Sequence, residues 1–246
     1  MKKIGLFIPC FVDSVYPRVA VATLKILKDL GFEVIYPKSQ TCCGQPMYNS
    51  GFKSEAKVLA KKFYSEFKEF DYIVAPSGSC ISMVKNHYKD LLSSQEFGEI
   101  SKKSFEICEF LHDKVDIERF KSSFPHKVAL HKSCHGLREL ELGVSSELNL
   151  PYNNKVENLL KRVDGLELIE LERADECCGF GGTFSINESD VSIKMGEDKL
   201  ANFKKSGAEF LVGYDNSCLM HLASLDKSVK MLHVVEILSG LTDESF

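Results

Sequence analysis

Short apolar runs alternate along the chain with longer segments in which apolar residues recur at helical spacing. The short runs are typical of buried strands, and the longer segments are typical of amphipathic helices. In the first half the pattern predicts strands over 3–9, 32–37 and 72–76, helices over 16–30, 53–69 and 80–92, and a further strand and helix within 105–113. In the second half it predicts strands over 127–131, 166–172 and 209–213, helices within 154–164 and over 188–206 and 218–225, and a closing strand and helix.

This alternation indicates how the strands are arranged. A helix between two strands returns the chain to the starting edge of the sheet, so that successive strands run parallel. Polar residues and a proline within Ser122–Lys127 interrupt the pattern and separate the two halves. We therefore predict an α/β fold of two pseudo-symmetric Rossmann-like halves with mostly parallel sheets, over residues 1–124 and 125–246.

Eight of the nine cysteines follow the same repeat. In each half one cysteine follows the first strand, an adjacent pair lies in a CCG tripeptide after the second strand, and one follows the third strand. The two sets are Cys10, Cys42, Cys43 and Cys80, and Cys134, Cys177, Cys178 and Cys218. Because parallel strands end at one sheet edge, we expect each set to converge there. The ninth, Cys108, aligns with Val235 and is predicted to be a buried core residue.

Composition narrows the class of protein. With 44% hydrophobic and 27% charged residues, the 246-residue chain is globular, and its formal charge of -4 with no long basic run argues against nucleic acid as a partner. No apolar stretch approaches the length of a membrane span, and the start, MKKIGLFIPC, lacks a signal cleavage site. We therefore expect a cytoplasmic protein, whose cysteines bind metal or do redox chemistry.

Four converging thiolates match the ligand set of a [4Fe–4S] cluster. Gly44 and Gly179 follow the two cysteine pairs, where a missing side chain lets the backbone pass close to inorganic sulfide and lets amides donate to sulfur. A four-cysteine zinc site and unliganded or redox-active thiols are the alternatives. Structural zinc usually takes closely spaced cysteine pairs, and this chain has no CxxC.

Several motifs together resemble a known family: PCFVDSVYP, QTCCGQPMYNSG, APSGSC, SCHGLREL, ECCGFGGTFS and NSCLMH. They are similar to the cysteine-rich CCG domain shared by the cysteine-rich component of heterodisulfide reductase, the iron–sulfur subunit of glycolate oxidase and lactate utilization proteins, and most closely to the lactate utilization protein A family. The resemblance covers nearly the whole chain. It implies a cytoplasmic iron–sulfur subunit with two [4Fe–4S] clusters that works with LutB-like and LutC-like partners in oxidising L-lactate to pyruvate.

The chain departs from the heterodisulfide reductase pattern at the end of each motif. That family ends each motif in CxxC and uses five cysteines for a noncubane cluster, whereas Met83 and His221 stand at the corresponding positions here. The missing fifth thiolate favours an ordinary four-iron cluster in each half. His221, one helical turn after Cys218, is either a ligand or hydrogen-bond donor that raises the potential of the second cluster or a polar helix residue. Met83 is a poorer ligand for iron.

Basic residues surround Cys134 in HKSCHGLREL. His131, His135 and Arg138 either have a functional role, chiefly Arg138, or serve as ordinary surface and packing residues. The functional role is to balance the charge of a thiolate-bound cluster or to bind a carboxylate substrate.

Three hypotheses follow from these features. The first is an electron-transfer subunit of a lactate-oxidising complex, with the carbon chemistry on a partner, since no GxGxxG follows a strand to bind flavin or nicotinamide. The second is a redox enzyme of the heterodisulfide reductase type. The third is a zinc-stabilised binding module.

Overall fold

The computed structural model describes residues 2–118 and 120–242. The ends of the predicted halves, at residue 1 and over residues 243–246, lie outside the described residues. The first half contains β1 (Lys3–Leu6), α1 (Cys10–Val15), α2 (Pro17–Asp29), β2 (Glu33–Ile35), α3 (Gln45–Asn49), α4 (Lys53–Phe67), β3 (Tyr72–Ala75), α5 (Gly78–Ser82), α6 (Ser94–Ser101), β4 (Ser104–Glu106) and α7 (Ile107–Lys114).

The second half repeats this order with fewer helices. It contains β5 (Lys127–His131), α8 (Lys155–Leu160), β6 (Glu167–Leu168), α9 (Phe184–Asn187), α10 (Ser189–Ser206), β7 (Phe210–Gly213), α11 (Asn216–Leu225), β8 (Lys230–His233) and α12 (Val234–Ser239). Single π-helical turns follow α5 and β5, over Met83–His87 and His135–Glu139.

Two four-stranded sheets, both entirely parallel, form the framework. Their strand orders are β2-β1-β3-β4 and β6-β5-β7-β8. The registers also correspond, because Ile4 of β1 pairs with Tyr72 of β3 as Val128 of β5 pairs with Phe210 of β7. The predicted α/β class with two Rossmann-like halves is confirmed.

The element boundaries differ from the prediction where proline and capping residues intervene. The predicted helix over 16–30 is present as α2, which begins at Pro17. A separate short helix, α1, was not predicted; it ends before Tyr16, because Pro17 lacks the amide hydrogen that would continue it. The predicted helix over 80–92 ends early and continues as a π-helical turn. Helix α6 was not predicted, although Ser93 and Glu96 form a capping box at its start.

The halves pack around a pseudo-twofold axis. Helix α2 contacts α12, and the corresponding pair α8 and α7 contact each other. Ion pairs join the helices in both contacts, Arg18 with Glu236 at 2.8 Å and Lys155 with Asp113 at 2.5 Å. The boundary between residues 124 and 125 stays a prediction, although each sheet lies wholly on one side of it.

Most of the apolar core is continuous between the halves, and a smaller cluster lies under the second sheet. Cys108 and Val235 are both fully buried, so the predicted core position of this cysteine is confirmed. None of the helices over residues 2–118 and 120–242 combines the length and apolar character that a bilayer crossing requires.

Candidate functional site

The four cysteines of the first half lie together at the carboxyl end of the first sheet. Cys10 begins α1, the Cys42–Cys43 pair lies between β2 and α3, and Cys80 lies in α5. The sulfur atoms of Cys10 and Cys42 are 4.0 Å apart. The thiol of Cys43 interacts with those of both Cys42 and Cys80, so the four thiols form one group.

The second half places its four cysteines in the same way. The sulfur atoms of Cys134 and Cys177 are 3.9 Å apart, and the thiol of Cys178 interacts with those of Cys177 and Cys218. In each group the last two cysteines are buried and the first two are more accessible. Each group therefore has a covered side toward its sheet and an accessible side away from it.

Interactions within each group favour one thiolate in advance of any ligand. The hydrogen bond between Cys10 and Cys42 lowers the pKa of Cys42 and raises the pKa of Cys10. The hydrogen bond between Cys134 and Cys177 likewise lowers the pKa of Cys177 and raises that of Cys134. The first cysteine of each CCG thus ionises first, and thiolate is the form that binds metal.

All eight of these cysteines line a single cavity of 530 Å³ between the halves. Its wall is mainly apolar and includes Phe11 and Phe180, whose rings meet edge to face with centroids 5.9 Å apart. Gln45 and His135 bring polar atoms to it from opposite halves, with their Nε2 atoms 3.2 Å apart. The two thiol groups therefore face one another across a partly enclosed space.

Helix caps at the pseudo-twofold axis position Cys80 and Cys218. Ser77 and Asp215 precede α5 and α11, and a β-bridge joins them across the axis. The buried Asp215 carboxylate accepts hydrogen bonds from the backbone of its own helix at Ser217 (3.2 Å) and from that of the other half at Ser79 (2.7 Å). Asp215 was not predicted as a site residue; its position three residues before Cys218, matching Ser77 before Cys80, is the signal that could have found it.

The glycines that follow the cysteine pairs have a backbone role. Gly44 and Gly179 have φ angles of 85° and 90°, in the left-handed region that disfavours other residues. Their amides donate toward the sulfur atoms of Cys42 at 3.4 Å and Cys177 at 3.3 Å, so the predicted amide donors are present. Helices α4 and α10 pack beneath the two glycines.

We expect Gly179→Ala to destabilise the protein more than Gly44→Ala. A Cβ at Gly179 would lie 2.4 Å from the carbonyl oxygen of Ser192, whereas a Cβ at Gly44 would have no contact closer than 3.4 Å. Backbone strain alone costs about 1–2 kcal/mol, and the added clash brings the loss at Gly179 to about 3 kcal/mol. Urea unfolding of both variants measures the difference, and equal losses would contradict the packing argument.

The secondary candidates lie at different distances from the thiols. Arg138 forms an ion pair with Glu147 at 2.5 Å and lies close enough to Cys134 for their charges to interact. His221 is buried, and its Nε2 is 3.3 Å from the carbonyl oxygen of Ser192. Met83 is fully buried in the core. Of the basic and sulfur candidates, only His135 lines the cavity.

Two buried basic side chains lie beneath the second group. A ring nitrogen of His131 is within 4.8 Å of the sulfur atoms of both Cys178 and Cys218. Burial lowers the pKa of His131 to about 3 and that of Lys199, on α10, to about 8. In the sequence, His131 is indicated only as a neighbour of Cys134, and Lys199 was not predicted as a site residue.

Comparison with known proteins agrees with the repeat. The cysteine-rich domain family (CCG) matches residues 4–85 and 128–223. Lactate utilization protein A of Exiguobacterium sp. is 38% identical, over 97% of this chain and 98% of its own length. The proteins of that name from Macrococcus caseolyticus and Geobacillus thermodenitrificans are 39% and 36% identical, over 97% and 96% of this chain and 96% and 98% of their own lengths.

Solved structures resemble the chain only distantly. A putative Asp/Glu racemase from Yersinia pestis aligns over 98% of this chain and 97% of its own with a TM-score of 0.39 and 12% identity. A likeness at this level says nothing about function.

Proposed function

The chain belongs to the cysteine-rich CCG domain family and, within it, to the lactate utilization protein A family, and from this membership we propose that it is the iron–sulfur electron-transfer subunit of an L-lactate oxidising system. The four cysteines of each half would hold one [4Fe–4S] cluster, and the two clusters would carry the electrons released as lactate becomes pyruvate. The oxidation of lactate itself takes place on a partner protein.

The observation that carries this proposal is the convergence of two four-cysteine groups on one cavity. The four thiols of each group supply the all-thiolate donor set that a four-iron cluster requires. Amides directed at Cys42, Cys177 and Cys178 supply the hydrogen bonds that such sulfur atoms accept. The residues present therefore fit the proposed cofactor.

When bound, the clusters would supply reversible one-electron chemistry; the chain supplies their ligands and surroundings. Cys42 and Cys177 ionise first and give each group its initial thiolate. The sheet side buries Cys43, Cys80, Cys178 and Cys218 and keeps water from them. The apolar wall around Phe11 and Phe180 limits water between the two groups, which strengthens the electrostatic effects within the cavity.

Secondary residues and partners complete the proposal. His135 positions the CCG loop of the opposite half through Gln45, and Arg138 offsets negative charge at Cys134. His221 remains a candidate to contact the second cluster through its Nδ1, because its Nε2 faces Ser192. The electron donor is a LutB-like or LutC-like partner in the cytoplasm.

Anaerobic purification tests the proposal directly. We expect a brown protein with about eight irons and about eight labile sulfides per chain, because two four-iron clusters hold that number. Adding lactate together with LutB-like and LutC-like proteins should reduce the clusters, and omitting either lactate or the partners should not. Zinc in place of iron and sulfide would refute cluster binding, and clusters that stay oxidised in the full mixture would refute the role in lactate oxidation.

A further inference from the structure

The two thiol groups rest on different side chains at equivalent positions. Phe7 lies three residues before Cys10, and His131 lies three residues before Cys134. The helices under the CCG glycines supply the second position. Gly44 packs on Leu59 and Gly179 on Met195, and four residues further along these helices stand Phe63 and Lys199.

In the first half these positions form an apolar pair. The buried rings of Phe7 and Phe63 meet edge to face with centroids 5.0 Å apart. Phe63 also contacts Tyr88, whose hydroxyl donates to the carbonyl oxygen of Cys43 at 2.9 Å. The first thiol group therefore packs on an uncharged aromatic pair, Phe7 and Phe63.

In the second half the same positions hold two basic side chains. Lys199 is fully buried, and its Nζ donates to the carbonyl oxygens of Ala174 at 3.0 Å and Arg173 at 3.3 Å. It is close enough for its charge to act on both His131 and Cys178. Both ring nitrogens of His131 lack a hydrogen-bond partner among the described residues, although the ring is buried beside two thiols. A buried polar group of this kind calls for a partner.

No neighbouring carboxylate forms an ion pair with Lys199 among the described residues. Lys132 is held by Asp175 at 3.3 Å and Arg138 by Glu147, so each has a carboxylate of its own. Over residues 2–118 and 120–242, no carboxylate oxygen lies within 4.0 Å of the Lys199 ammonium. The carboxylates of Glu176 and Asp175 act on Lys199 only from a greater distance.

We propose that His131 and Lys199 make the second thiol group the preferred site for the electron, with His131 donating an N–H to the sulfur of Cys178 or Cys218. The inference rests on the proposed function and adds the direction of electron transfer between the two sites. One electron, supplied by oxidation of the 2-hydroxy acid, leaves the first site, which is oxidised, and reduces the second. An added electron makes a thiolate-bound centre more negative, and a buried cation and an N–H donor both stabilise that charge.

The test measures each cluster separately. Cys43→Ser leaves the second cluster and Cys178→Ser leaves the first, and redox titration monitored by electron paramagnetic resonance gives each midpoint potential. We expect the midpoint potential of the second cluster to be higher than that of the first by at least about 59 mV. For a one-electron reduction this is a tenfold difference in the equilibrium constant. Lys199→Met and His131→Phe, in the Cys43→Ser chain, should each lower the second potential by about the same amount.

Two variants serve as controls. Lys194→Met removes an exposed cation from the same helix and should leave the second potential unchanged, which separates a local effect from net charge. Phe63→Met, in the Cys178→Ser chain, alters the equivalent position in the first half and should leave the first potential nearly unchanged. If the second potential stays the same in both Lys199→Met and His131→Phe, the inference is wrong while the proposed function stands.

A measurement on iron-free protein tests the effect of Lys199 separately from the proposed function. The Cys43→Ser chain prepared without iron is titrated with Co²⁺, and absorption from cobalt–thiolate bonds reports binding at the second group. A cobalt–thiolate complex is also anionic, so Lys199→Met should weaken binding about tenfold and Lys194→Met should not. If the protein never holds iron, the proposed function fails, and unchanged Co²⁺ affinity in Lys199→Met would then overturn the inference as well.

Discussion

Replacing Cys43 by serine is expected to remove about four of about eight irons and leave the other cluster intact. Cys43 is the buried thiol that joins Cys42 to Cys80, so its loss opens the covered side of the first group. Cys178 has the same place in the second group, and Cys178→Ser should remove the other half of the iron. Iron and sulfide content, with the electron paramagnetic resonance signal of the remaining cluster, measures both results.

Cys108→Val is the matched control for these replacements. Cys108 is fully buried, and its counterpart in the other half is already valine, at position 235. Because the substitution keeps an apolar side chain of similar size, we expect all of the iron to remain. Unchanged iron in both serine variants would show that the ligand assignment is wrong, and loss of all iron in either would show that the two sites do not assemble independently.

The sequence alone was sufficient to predict the framework and the grouping of the thiols. The repeat of Cys10, the CCG and Cys80 as Cys134, the CCG and Cys218 indicated two equivalent halves, and parallel strands bring their cysteines to one edge. What it did not indicate was that both groups face the same cavity. That arrangement depends on how the halves pack, through α2 with α12 and α7 with α8, and periodicity within one segment carries no information about such contacts.

Hydrophobic periodicity also did not predict the differences between the halves at equivalent buried positions. A buried helix cap at the start of α7 is Glu106, and the corresponding cap of α12 is His233. Phe63 and Lys199 lie at equivalent positions of helices that differ in most other residues. Lys199 looks like a solvent-facing lysine in the sequence, because lysine is rarely buried, and only the packing under the CCG loop shows otherwise.

The residues around the first cysteine of each half differ in charge. His131, Lys132, His135 and Arg138 replace Phe7, Ile8, Phe11 and Ser14 at the same distances from the first cysteine of each half. The spacing of the first two thiols is nevertheless the same, with sulfur separations of 4.0 Å for Cys10 and Cys42 and 3.9 Å for Cys134 and Cys177. The fold therefore keeps the ligand geometry constant while the charge around it changes.

Asp215→Ala is expected to destabilise the protein by about 3 kcal/mol and to lower the iron content of both sites. The carboxylate of Asp215 is buried and accepts from the backbone amides of Ser79, at the start of the helix that carries Cys80, and of Ser217, at the start of the helix that carries Cys218. Removing it leaves both donors unsatisfied near the axis. Urea unfolding and iron analysis of the same preparation measure the two effects.

The symmetry-related cap supplies the control. Ser77→Ala removes a hydroxyl that accepts from the amide of Cys80 in its own helix at 3.3 Å and makes only a long hydrogen bond, 3.5 Å, to the Asp215 carboxylate of the other half. We expect it to cost about 1 kcal/mol and to affect the first site alone. If Asp215→Ala lost iron only from the second site, the carboxylate would be an ordinary helix cap, because its hydrogen bond to Ser79 would then contribute nothing to the position of Cys80. Loss from both sites means that one side chain of the second half holds the ligand helices of both.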